Sequence, residues 1–213
     1  MQKLFYLIAN AMAAFMDFAV GCLIAVLAAL GLHHQLLWWE PLVAGAVFGL
    51  LPDYDVVFQI IWTGINGRKL VHKHHESLMH WPLFILLIVV PPVTGVFGQY
   101  WGVTAFCCLL AHYIHDAVIM KGDGLGWFFR REPSYWSKQG AAEPASYAHE
   151  DWIADHWLRP SKLSIAEVNI GLLAIGVAFG LLTGSVGYGF LLYGLFALGA
   201  VLFWTLCSML RYA

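Results

Sequence analysis

Charge is what this sequence has least of. Lys, Arg, Asp and Glu together supply 11% of 213 residues, against about 25% in an ordinary soluble domain, so a solvated globular surface is excluded. Cysteine is also scarce. Cys22, Cys107, Cys108 and Cys207 all lie in apolar runs and show no CxxC or Cys/His spacing, which argues against a thiolate metal site and for buried packing. No internal repeat or low-complexity tract is present. The net charge of -2 carries no nucleic-acid signal, and no nucleic-acid partner is expected.

What replaces charge is apolar length. The chain is 61% hydrophobic with a mean hydropathy of +0.71, and a bilayer core about 30 Å thick needs about 20 mostly apolar residues per helix. Stretches at about 8–31, 41–62, 78–98, 101–120, 164–183 and 187–208 meet that need. The pattern predicts an all-α polytopic bundle of about six spans, a single membrane-embedded domain over 1–213. After Lys3 the run Leu4–Ile8 is too short for a signal-peptide core, so the first segment is expected to be a true span.

Lys and Arg are missing from 32–40, 99–100 and 184–186. They occur instead at Lys3, at Arg68, Lys69 and Lys73, at Lys121, Arg130, Arg131, Lys138, Arg159 and Lys162, and at Arg211. The positive-inside rule then predicts that both termini and the two polar loops are cytoplasmic, in the inner membrane. The longer loop, 121–163, exceeds the usual connector of up to about 12–15 residues. Within it "ASYAHEDWIADHWLRP" predicts an interfacial helix with Trp152 and Trp157 at headgroup level. A hairpin of two spans, 164–208, completes the chain.

Ionisable groups inside a membrane are costly and are functional candidates by default. At about 1.5 Å per residue, Asp53 falls roughly 20 Å from the outer edge of the second span, and His112 and Asp116 fall roughly 17 and 23 Å down the fourth. Asp17 lies roughly 10–15 Å from the cytoplasmic face. His80 opens the third span, with His72, His74 and His75 just before it. Several spans thus bring carboxylates and imidazoles to one cytoplasmic layer.

Oxygen and nitrogen donors without thiols suit zinc, manganese, magnesium or iron. His112 and Asp116, four apart, share a helix face. In "PDYD" the carboxylates of Asp53 and Asp55 fall on one side if the chain is extended, as a helix interruption at Pro52 favours. The competing readings are structural: a helix-terminating turn for Asp53 and Asp55, interhelical hydrogen bonding for His112 and Asp116, a solvated loop for His75 and His80, and a packing acid for Asp17. Glu76 is either a general base or a glutamate favoured at a helix start. His72, His74 and His115 are expected to be supporting or exposed, and His33 and His34 carry no signal. His149, Glu150, Asp151, Asp155 and His156 fit the polar face of the interfacial helix, and "GDGLG" lacks a P-loop lysine.

At these residues the chain resembles the LexA-regulated, inner-membrane, metal-dependent hydrolase family. The resemblance covers about 10–130. "LLPDYD" is similar to its Pro-Asp-x-Asp element, "AHYIHD" to its His-x-x-x-Asp, and "GLGWFF" to its Gly-aromatic loop. "HESLMHW" keeps the histidine spacing of another element, with Glu76 in place of the basic residue and Trp81 in place of serine. Asp17 stands where the family carries a histidine four residues before a glycine, here Gly21. The resemblance implies one or two divalent ions held by Asp53, Asp55, His75, His80, His112 and Asp116, with Asp17 as a further ligand. Asp53, Asp55, His112, Asp116 and Glu76 would then serve hydrolysis.

The expected function is a metal-dependent hydrolase acting at the cytoplasmic face on a lipid or lipid-linked phosphoester, with membrane lipids as its surroundings. Two alternatives differ in class. A proton- or metal-coupled transporter would need polar groups in the outer halves of the spans, where the sequence offers none in line. A non-catalytic regulatory protein would depend on the cytoplasmic loop more than on the metal layer.

Overall fold

The computed structural model describes residues 2–54, 79, 81–119 and 162–209. Every regular element among the described residues is helical: α1 (Gln2–Gly31), α2 (Glu40–Val43) running into a π-helical stretch (Ala44–Gly49) and a 3-10 turn (Leu51–Asp53), α3 (Pro82–Phe97), α4 (Gln99–Ile119), α5 (Lys162–Thr183) and α6 (Val186–Met209). α1 is the hub of the fold. It packs on α5, on the π-helical stretch and on α4, while α3 pairs with α4 and α6 with α5.

Local sequence explains the joints. α1 has no proline, and the chain leaves it through His33, whose φ of 54° lies in the left-handed region. Gly98 (φ 91°) separates α3 from α4 and donates its N–H back to the Thr94 carbonyl at 3.0 Å, a backbone conformation natural to glycine.

Among the described residues, three windows are long and apolar enough to cross a membrane, Ala14–Gly31, Ser164–Thr183 and Val186–Met209. Of the α1 window 44% is buried within the fold, against 6% of the α6 window, so α6 is apolar on sides that no described helix covers, as a lipid-facing helix is. α3 is apolar but has 16 residues. α4 is long enough, but Thr104, His112, His115 and Asp116 lower its hydropathy.

The "PDYD" expectation needs correction. Asp53 sits in the 3-10 turn and Tyr54 is helical (φ -65°, ψ -19°), not extended. The regular path breaks earlier, at Leu50 (φ -103°, ψ 0°), and Pro52 lies inside the new turn rather than ending a helix. Proline has no N–H to lose and its fixed φ is preset for a helical first turn, so Pro52 restarts the chain.

Candidate metal centre

The break at Leu50 and the 3-10 turn after it leave carbonyls over, and these carbonyls organise the site. The Asp53 N–H bonds to the Leu50 carbonyl at 3.0 Å, a 3-10 contact that turns it away from the Gly49 carbonyl it would reach in a continuous α-helix. That Gly49 oxygen accepts a hydrogen bond from His112 Nδ1 on α4 at 2.9 Å. The Ala46 carbonyl accepts one from the Tyr54 hydroxyl. Irregular backbone at membrane depth is stable only when such groups are recaptured within the protein.

The hydrogen bond to Gly49 also defines the His112 ring. A carbonyl can only accept, so Nδ1 carries the proton and a neutral ring keeps its lone pair on Nε2. Nε2 faces Asp116 Oδ2 at 3.3 Å and Asp53 Oδ1 at 3.6 Å. Both exceed the usual N–H···O range, which ends near 3.2 Å. They match donor-to-donor edges of about 3.3–3.6 Å around a tetrahedral ion with bonds of about 2.0–2.2 Å. On the other ring edge Asp17 Oδ2 lies 3.6 Å from His112 Nδ1. Asp17, Asp53 and His112 each offer a donor atom within 4.8 Å of the others and form a group able to hold a metal ion.

Burial gives the site a direction. The His112 and Asp17 side chains are 1% and 7% exposed, but Asp116 and Asp53 are 22% and 33% exposed, so the open edge is the Asp53 and Asp116 side. The closed edge depends on contact between backbones. A methyl group at Gly49 would come within 2.6 Å of the Asp17 carbonyl oxygen, so glycine there lets the π-helical stretch press on α1 and brings Gly49 O, Asp17 and His112 together.

Of the residues expected from sequence, the structure brings together Asp17, Asp53, His112 and Asp116. Asp55, His72, His74, His75, Glu76 and His80 lie outside the described residues, as do residues 121–161 with the cluster from His149 to His156. Of the two alternatives expected for His115, supporting or exposed, the structure favours the first: it is 14% accessible, and its Nδ1–H donates to both oxygens of Asp17 at 3.0 Å. His115 follows His112 by three positions, near enough on the helix to reach the same neighbouring helix. His34 is also engaged. Its Nε2–H donates to the Glu40 carboxylate at 3.2 Å, its ring stacks on Tyr100 with centroids 3.9 Å apart, and Glu40 is buried. This pair lies in the 32–40 connection between α1 and α2, where residue-by-residue reading missed it because the partners are six apart across a turn.

Glu167, on α5, was missed as well. It is 4% exposed, one turn from the fully buried Ser164. A single glutamate inside the apolar run 164–183 was the available signal.

No family model, curated protein or solved structure matches this chain.

Proposed function

We propose that the chain is a polytopic metal-dependent hydrolase of the cytoplasmic membrane, akin to the LexA-regulated inner-membrane family. It would have six spans, cytoplasmic termini, and a site open toward the cytosol and headgroup layer. The observation that carries the metal reading is that Asp17, Asp53 and His112 each offer a donor atom within 4.8 Å of the others, with carboxylate oxygens at 3.3 and 3.6 Å from His112 Nε2, a spacing that suits ligands of one ion. A bound divalent ion would act as a Lewis acid and make a coordinated water acidic near neutral pH.

The residues themselves divide the remaining work. His112, fixed by Gly49, presents a lone pair in one direction. Asp53 and Asp116 flank it on the open edge, where substrate would arrive, and either carboxylate, when not coordinating, is placed to accept a proton. Asp17 closes the buried side. A site at headgroup depth meets lipids and lipid-linked phosphoesters at high local concentration, which supports that substrate class.

The transporter alternative draws on Glu40. Its carboxylate already accepts the Leu37 N–H at 2.8 Å and His34, so it is placed as a structural acid rather than an ion-binding one. The hydrolase reading is tested by elemental analysis of purified protein, followed by lipid mass spectrometry of membranes incubated with wild type and Asp53→Ala. Bound metal and a lipid product, both lost in the variant, are the expected result. Equal metal content in wild type, Asp53→Ala and His112→Ala would refute it.

A further inference from the structure

The Asp17 carboxylate is gripped from behind. His115 Nδ1 lies 3.0 Å from each of its oxygens, so one N–H straddles the carboxylate and fixes its plane. Among the described residues, the ring's other nitrogen, Nε2, is buried without a hydrogen-bond partner. Buried polar atoms are nearly always satisfied, and a histidine kept only for packing would be expected to use both nitrogens. Here the ring works through Nδ1 alone, on a carboxylate whose Oδ2 is 3.6 Å from His112. α5 packs along α1 beside this array. Its buried Glu167 lies within electrostatic reach of the His115 ring.

We propose that His115 is a positioning residue for the metal centre: its Nδ1–H locks the Asp17 carboxylate in the orientation that binding an ion requires. This rests on the metal reading above and extends it from the ligands to the group that orients one of them. Groups that orient metal ligands from outside the coordination sphere typically contribute about 10- to 100-fold in affinity. His115 performs that task from the same helix as His112, so α4 supplies both a ligand and the support of another ligand on α1.

The test is zinc affinity of the full-length chain in detergent, stripped of metal and titrated against a chromophoric chelator. His115→Ala should weaken zinc binding about 10- to 100-fold. His115→Asn places an amide N–H where Nδ1–H stood and should stay within about threefold of wild type. His115→Gln places its amide at the Nε2 position and should be as weak as alanine. Should the alanine variant fail to fold, the contrast between Asn and Gln carries the same test. An alanine variant that binds like wild type overturns the proposal, as does an asparagine variant no better than alanine, which would mean that Nε2 itself is a ligand. A wild type that binds no zinc, manganese or magnesium overturns the metal reading and this proposal with it, whereas tight wild-type binding unaffected at His115 overturns the proposal alone.

Discussion

The two ends of this bundle carry nearly the same side chains and use them differently. At the joint between α1 and α2 Glu40 and His34 close on each other: the carboxylate takes a backbone N–H at 2.8 Å and the imidazole at 3.2 Å, and the imidazole stacks on Tyr100. The partners are close in sequence and within hydrogen-bonding distance. In the inner layer His112 meets Asp116 and Asp53 at 3.3 and 3.6 Å, and these groups come from α4 and from the turn after the π-helical stretch. Carboxylate and imidazole at hydrogen-bond distance make a staple. Around His112 the carboxylates come from its own helix and from two other elements, and Asp17, Asp53 and His112 form a group that could hold a metal ion.

The comparison breaks most sharply at the ligands. Asp53→Ala or His112→Ala should reduce metal content from near stoichiometric to background, read by mass spectrometry of the purified protein. The same change at the α1–α2 joint, Glu40→Gln, should leave metal content unchanged. A smaller effect is expected at Gly49→Ala, where the added methyl meets the Asp17 carbonyl oxygen at 2.6 Å. Overpacking of this kind costs about 1–3 kcal/mol, and it should appear as a lower thermal midpoint in detergent together with weaker metal binding.

Pro52→Ala tests the carbonyl argument directly. With proline gone the helix can continue, the Asp53 N–H competes for the Gly49 carbonyl, and His112 loses the bond that orients it. One net hydrogen bond of about 1 kcal/mol corresponds to a several-fold loss of metal affinity, which calorimetric titration would resolve. The smallest effect belongs to the staple at the joint. His34→Ala should lower stability by about 1 kcal/mol with metal affinity unchanged, and a His34 variant that loses metal would erase the distinction between the two ends.

The residue types were legible in the sequence because polar groups stand out along apolar runs. That reading found Asp17, Asp53, His112 and Asp116, and it found the helical class. The turn at Pro52 was less legible. A proline announces an interruption, but whether the chain goes extended or restarts as a 3-10 turn depends on which groups recapture the freed carbonyls, and those are Tyr54 nearby and His112 on another helix. His115 and Glu167 were underweighted for a related reason. His115 meets Asp17 on α1 and Glu167 lies within electrostatic reach of His115 on α4, and helix periodicity alone does not say which neighbouring helix a buried group meets.

The crowding of His112, His115 and Asp116 onto one stretch of α4 has a consequence for ion size. Three groups on a single rigid rod keep their mutual spacing whatever occupies the centre. Adjustment therefore falls to the short Leu50–Asp53 joint, the part of the described site that is not set in continuous α-helix. Ions with bonds of about 2.0–2.2 Å fit the spacing as it stands, while calcium, at about 2.3–2.6 Å, would have to push that joint outward.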